Sequence, residues 1–267
     1  MTRRSVQVAL LLTIALLLAS CGGNSCNSGN SDNRAPLIFA AASLADVLGE
    51  AAEMYEIDTG KRVDFSFGGS IALANQIALL GAPADGVFFV GEKPVATLME
   101  ADLLSVDDRA IGLSNKLVVI GLEREGPLGS LNELAARKAR VAIGDPALAP
   151  AGVYTRQALI SAGIWTEISD RAIFAFDVRA AMAAVESGNV RYGIVYRTDA
   201  ASSSSISILY EIEGGHAQIE YIGSALTGAP NSAPAEEFLE YLASTPETRT
   251  LFESAGFSLT VPMLDAP

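Results

Sequence analysis

One pattern constrains this chain more than any other: a short apolar run, a loop of small residues, then a helical pattern, repeated along its length. Its first copy is Leu37-Ile38-Phe39-Ala40-Ala41-Ala42-Ser43-Leu44-Ala45-Asp46. The apolar run has strand length and stops at Ser43, and Ser43 with Asp46 three residues on reads as a Ser-x-x-acid helix cap. A helix N-terminus presents N–H groups without intrahelical partners and a partial positive charge, so it is a ready site for an anion. A capped helix after a core strand is the plainer reading of any one copy. Repetition is what argues for more.

The copies follow in order. Leu44, Val47, Leu48, Ala51, Met54 and Tyr55 share a helical face, and Gly60 stops that helix. Arg62 to Phe67 alternates polar and apolar as a half-buried strand does, and ends in Gly68-Gly69-Ser70 before a helix from Ile71 to about Leu80. Val87–Val90 is a third strand, Leu117–Ile120 a buried one, and Ser130 with Glu133 makes a capping box for a helix to about Lys138. Val141–Ile143 opens into Asp145-Pro146-Ala147-Leu148-Ala149-Pro150-Ala151-Gly152 and a helix to Ala162. Ile173–Phe176 passes through Asp177-Val178 into a helix ending at Gly188. Tyr192–Tyr196, Ile206–Tyr210 and Tyr221-Ile222 read as strands, and helices near 234–242 and 246–254 close the chain.

Strands alternating with helices imply an α/β fold of mainly parallel sheets covered on both faces. Ligands of such sheets bind beyond the carboxyl ends of the strands, at a topological switch point. The loops at those ends carry Ser43, Gly68-Gly69-Ser70, Pro150-Ala151-Gly152, Asp177-Val178 and Tyr196. They are small, rich in N–H and O–H donors, and offer no Lys or Arg. That chemistry suits a dehydrated oxyanion held by hydrogen bonds better than a sugar or a cation. Asp145 and Asp177 read as loop-capping acids, since a carboxylate beside an anion repels it.

The first 21 residues are a targeting segment. Arg3-Arg4 precede an apolar stretch from Val8 to Leu18, and Leu18-Ala19-Ser20-Cys21 closes it in the pattern of bacterial lipoprotein signals, which makes Cys21 the lipid-bearing residue. Residues 22–35 are polar and aperiodic, a flexible tether holding Cys26. No cysteine follows, so thiol nucleophiles and thiolate zinc sites are excluded from the rest. The net charge is -13, and -15 without the first 21 residues (16 basic against 31 acidic), which argues against nucleic acid as a partner.

The loops together resemble the molybdate-binding proteins of bacterial ABC importers, over essentially all of residues 36–260. The matching stretches are Phe39-Ala40-Ala41-Ala42-Ser43-Leu44, Ser70 with Leu73-Ala74-Asn75-Gln76-Ile77, and Gly81-Ala82-Pro83-Ala84-Asp85. They continue with Gly144-Asp145-Pro146, Pro150-Ala151-Gly152-Val153-Tyr154, Asp177-Val178-Arg179, and Gly193-Ile194-Val195-Tyr196 with Thr198-Asp199-Ala200. The resemblance implies a two-domain, Venus-flytrap fold in which 36–113 with 223–267 forms one domain and 114–222 the other. It implies molybdate or tungstate held by Ser43, Ser70, the backbone N–H of Ala151 and Val178, and the Tyr196 hydroxyl. It further implies no catalysis, no cofactor, a monomer tethered outside the cytoplasm, and delivery to a membrane permease. Ile71 and Gly86 depart from the family's usual residues.

Three rival readings stand beside this one, of which a purely structural surface lipoprotein predicts no saturable ligand at all. A receptor for sulfate or another oxyanion uses the same kind of donors. A serine hydrolase would read Gly68-Gly69-Ser70-Ile71-Ala72 as a nucleophile elbow, but the one histidine, His216, sits in Glu213-Gly214-Gly215-His216, an apparent exposed turn. The same placement argues against a histidine metal site. Trp165 and the Met and Phe residues read as core.

Overall fold

The computed structural model describes residues 34–104 and 110–260. The signal segment with Cys21, and Cys26 in the tether, lie outside the described residues. No helix among those described is long and apolar enough to cross a membrane.

The first sheet is built from β1 (Leu37–Ala41), β2 (Asp64–Gly68), β3 (Gly86–Val90), β4 (Ala110–Ser114), β10 (Glu220–Ala225) and β11 (Ser258–Leu259), in the order β11-β4-β10-β3-β1-β2. β1 runs parallel to β2 on one side and β3 on the other, while β10 is antiparallel to β3 and β4. The second sheet holds β5 (Leu117–Gly121), β6 (Val141–Gly144), β7 (Ala172–Ala175), β8 (Tyr192–Tyr196) and β9 (Ser207–Ile212), in the order β7-β6-β8-β5-β9. Here β6 is parallel to both β7 and β8, and β5 is antiparallel to β8 and β9. Both sheets are therefore mixed, with a parallel trio at the end that bears the loops of interest. The fold is α/β, as the alternating pattern requires.

The helices are α1 (Ala45–Thr59), α2 (Ser70–Leu80), α3 (Glu92–Glu100), α4 (Leu131–Ala136), α5 (Pro150–Ser161), α6 (Trp165–Ser169), α7 (Val178–Glu186), α8 (Arg197–Ala201), α9 (Ser232–Ser244) and α10 (Pro246–Ser254). Gly60 and Gly81 end α1 and α2 in the left-handed conformation, at φ 72° and 66°, which a residue with a Cβ adopts only at a cost. β1, β3, β5, β6 and β8 read as apolar runs because helices cover both faces of each sheet. Each fully buried Phe or Val side chain, such as Phe88, Phe89 and Val119, contributes roughly 1.5–3 kcal/mol.

Several local readings need correction. Ser43 does not cap α1: residues 42–44 form a 3₁₀ turn, the cap position falls at Leu44, and the Ser43 hydroxyl turns to Tyr221 instead. The Ser130 box is half as read, since the Ser130 Oγ accepts from the Glu133 N–H, but Glu133 Oε2 accepts from Gly129 rather than Ser130. Phe67, Phe174 and Phe176 are exposed by 39%, 46% and 78% rather than core, because they lie on or just beyond the edge strands β2 and β7. His216 is partly covered, its ring edge-on to Tyr154 at 5.9 Å, rather than facing solvent.

Candidate functional site

Each parallel trio changes direction at its middle strand, so the carboxyl ends of β1 and β6 are the two topological switch points. Ser43 follows β1 and Ser70 follows β2. Ala151 follows β6, Val178 follows β7, and Tyr196 ends β8. All five line a single small cavity of about 10 Å³, open to solvent, together with Gly68, Gly69, Val90, Ala149, Pro150 and Asp177. The five residues are each no more than 4% exposed.

The hydrogen bonds around the cavity leave donors, not acceptors, facing it. Ser70 Oγ accepts from the Val90 N–H at 3.1 Å, which leaves its own proton to give. Tyr221 Oη accepts from Asn115 Nδ2 at 3.0 Å and lies 3.2 Å from Ser43 Oγ, so the tyrosine proton can occupy a serine lone pair and free the Ser43 proton. Asn115 Nδ2 also donates to Thr198 Oγ1 at 2.9 Å. Ala151 and Val178 lie in the first turns of α5 and α7, where N–H groups have no intrahelical partner. Pro150 at the start of α5 is pre-set for a helix and lacks an N–H of its own. The Tyr196 hydroxyl is buried without a partner, and burial raises its pKa well above the usual tyrosine value, so it stays a donor.

Asp177 is the one charged side chain at the lining. It caps α7, its Oδ1 accepting from the Ala180 N–H at 2.8 Å, and Asp145 Oδ1 likewise accepts from Ala147 at 2.8 Å. Both are loop-capping acids, as their positions suggested. Ser70 has no histidine among its partners; the His216 Nδ1–H donates to the Ala217 carbonyl at 2.7 Å. Among the described residues no three His, Cys, Asp or Glu side chains cluster as a metal site would require.

Other residues escaped the sequence reading. Asn115, Thr198 and Tyr221 orient Ser43, yet Tyr221 is 178 residues away from it, beyond any local pattern. Asp199, fully buried, accepts the Tyr196 N–H on Oδ2 at 3.2 Å, and burial lifts its carboxyl to about 7. Gly69 is a point of close approach between the two sheets' loops: a Cβ there would sit 2.5 Å from the Leu148 carbonyl oxygen and 2.8 Å from that of Phe176. Beside it the Ala72 N–H donates to the Leu148 carbonyl at 3.0 Å. The Gly68-Gly69 pair was the available signal for such an approach.

Fold and site define a two-sheet α/β binding protein whose small cavity lies where the loops of both sheets meet. The chain belongs to the bacterial extracellular solute-binding protein family, whose model matches residues 36–258. It is 32% identical over 250 residues to a Bacillus subtilis protein provisionally named ABC transporter substrate-binding lipoprotein YvgL, covering 92% of this chain and 95% of that one. It is 33% identical over 255 residues to the molybdate-binding protein ModA of Haemophilus influenzae, covering 92% and 97% respectively. In fold it is similar to the periplasmic molybdate-binding protein of Azotobacter vinelandii, with a TM-score of 0.73 at 22% identity over 85% of this chain and all of the other.

Proposed function

We propose that this protein is the extracytoplasmic receptor of an ABC importer and that it captures molybdate, with tungstate bound alongside. The observation that carries the reading is the unpartnered, buried Tyr196 hydroxyl in a cavity whose lining also includes two serine hydroxyls and two helix N-termini. A tetrahedral oxyanion supplies acceptors for all of them at once. The charge on such an anion is offset by the partial positive ends of α5 and α7 rather than by a cation. Phosphate at neutral pH keeps a proton that needs an acceptor, while the hydroxyl and N–H groups of the site offer donors and the Asp177 carboxylate is engaged in capping α7. Sulfate is smaller and leaves the same donors at longer range. The reading draws support from the name of the ModA relative, a molybdate-binding protein, and its importer setting from that of YvgL, a substrate-binding lipoprotein of an ABC transporter.

The lobes in this reading follow the two sheets, 36–114 with 220–267 against 117–212, which shifts the boundaries expected at 113/114 and 222/223 so that β4 and β10 stay whole in the first sheet. The chain passes between the sheets through Asn115-Lys116, which joins β4 to β5, and through Glu213–Ile219, which joins β9 to β10. These two connections are the hinge about which the lobes close on the ligand. Cys21 carries the lipid that keeps the monomer at the outer face of the membrane, beside its permease. The test is the double substitution Ser43→Ala with Ser70→Ala. Removing two donors leaves the anion under-coordinated, at about 1.5–3 kcal/mol for each charge-assisted bond. Molybdate bound as tightly by the double variant as by the unsubstituted protein would sink the assignment.

A further inference from the structure

Arg179 directly follows Val178 in α7, and its guanidinium has three partners. Nε lies 2.7 Å from Asp199 Oδ1, Nη1 donates to Ser202 Oγ at 3.0 Å, and Nη2 donates to Asp46 Oδ2 at 2.6 Å. Asp199 and Ser202 belong to the same lobe as Arg179. Asp46, in the first turn of α1, belongs to the other. One side chain thus ties together the segments that carry Val178, Tyr196 and Ser43. It does so from outside the cavity lining.

The three contacts differ in kind. Asp199 is fully buried, and the close Nε approach is an ion contact whose N–H is not aligned on the carboxylate oxygen. That pair stays within one lobe and does not depend on how the lobes sit. The Asp46 side chain is 59% exposed and meets Arg179 only where the two lobes meet. An exposed ion pair contributes little when both long side chains must be ordered to form it. Here Asp199 and Ser202 already order the guanidinium, so less entropy is lost when Asp46 arrives. Arg179 also offsets the Asp199 carboxylate, whose Oδ2 holds the Tyr196 backbone beside the site.

We infer that Arg179 is a positioning residue and closure latch: braced by Asp199 in its own lobe, it fastens the opposite lobe through Asp46 and slows release of the bound anion. The inference rests on the oxyanion reading above and adds to it a residue that sets residence time. Ligand enters before the latch forms and leaves after it opens, so the latch acts on the off-rate far more than on the on-rate.

The test uses the full chain with Asp46→Asn, Arg179→Gln and the pair combined. Molybdate release is timed after dilution, and hydrogen exchange is followed at the Ala72 amide, whose bond to Leu148 joins the lobes. Asp46→Asn is expected to speed release about 3- to 10-fold, with association changed less than about twofold. It should speed Ala72 exchange by a similar factor and leave exchange at buried Val119 unchanged. In the Arg179→Gln background the same substitution should have no effect. Unchanged release and unchanged Ala72 exchange would overturn the latch, as would an equal effect of Asp46→Asn with and without Arg179. If the unsubstituted protein binds no molybdate while Asp46→Asn still speeds Ala72 exchange, the latch stands and the ligand assignment falls.

Discussion

Gly69→Ala isolates lobe closure from the donors that hold the anion. Gly69 has φ -68° and ψ 122°, backbone that alanine adopts freely, so the substitution adds no strain to its own lobe. Its Cβ would lie 2.5 Å from the Leu148 oxygen and 2.8 Å from the Phe176 oxygen, both backbone atoms of the second sheet's loops. Ordinary contact begins near 3.4 Å, so the loops of the two sheets must part by ~0.9 Å at this point. That displacement stretches the 3.0 Å bond from Ala72 to Leu148 and draws Ala151 and Val178 away from Ser70. Overpacking of this kind costs about 1–3 kcal/mol, or about a 5- to 150-fold loss of affinity. Calorimetric titration with molybdate measures the loss, and thermal melting without ligand checks the fold. Affinity within about twofold of the unsubstituted protein would refute the claim that binding requires this closed contact.

Other outcomes follow from the same geometry. Tyr196→Phe removes a buried hydroxyl that has no partner, so it should weaken molybdate binding while the ligand-free melting temperature stays level or rises, read by titration and melting in parallel. Tyr221→Phe strips the Asn115 amide of an acceptor and Ser43 of its partner, and should lower both affinity and stability, by about 1–3 kcal/mol in the latter. The Asp199 carboxyl, lifted by burial from 3.8 to about 7, takes up its proton more readily folded than unfolded. Its contribution to stability therefore falls as pH rises from about 4 to about 7 and is level above that. Asp199→Asn should flatten the melting temperature across that window relative to the unsubstituted protein, and an unchanged pH slope would contradict it.

Much of this was legible because the apolar runs and the helix-ending glycines are local. Gly60 and Gly81 announce their turns by residue type, and the buried strands by length and composition. The loops that carry the five residues were legible because they close strand–helix units, which the topology gathers at two switch points, whereas Ala151 and Val178 themselves are singled out only by the family resemblance. Strand order is set by distant pairings, so the antiparallel placement of β5 between β8 and β9 had no local sign. α8 has five residues, too few to show a period, and α3 carries Pro94 near its start, which reads as a breaker. Ser43 was misread as a cap because its competitor, Tyr221, arrives through tertiary packing. Arg179 stood in the sequence as one cation beside Val178, and its partners Asp46 and Asp199 are brought to it only by the fold.

The most direct measurement is parallel calorimetric titration of the purified protein with molybdate, tungstate, sulfate and phosphate. The account predicts tight one-to-one binding of molybdate and tungstate, with sulfate and phosphate far weaker. Silence from all four, or phosphate binding as tightly as molybdate, would contradict it, because the site's hydroxyl and N–H donors match a fully deprotonated oxyanion and the one carboxylate at the lining, Asp177, is engaged in capping α7.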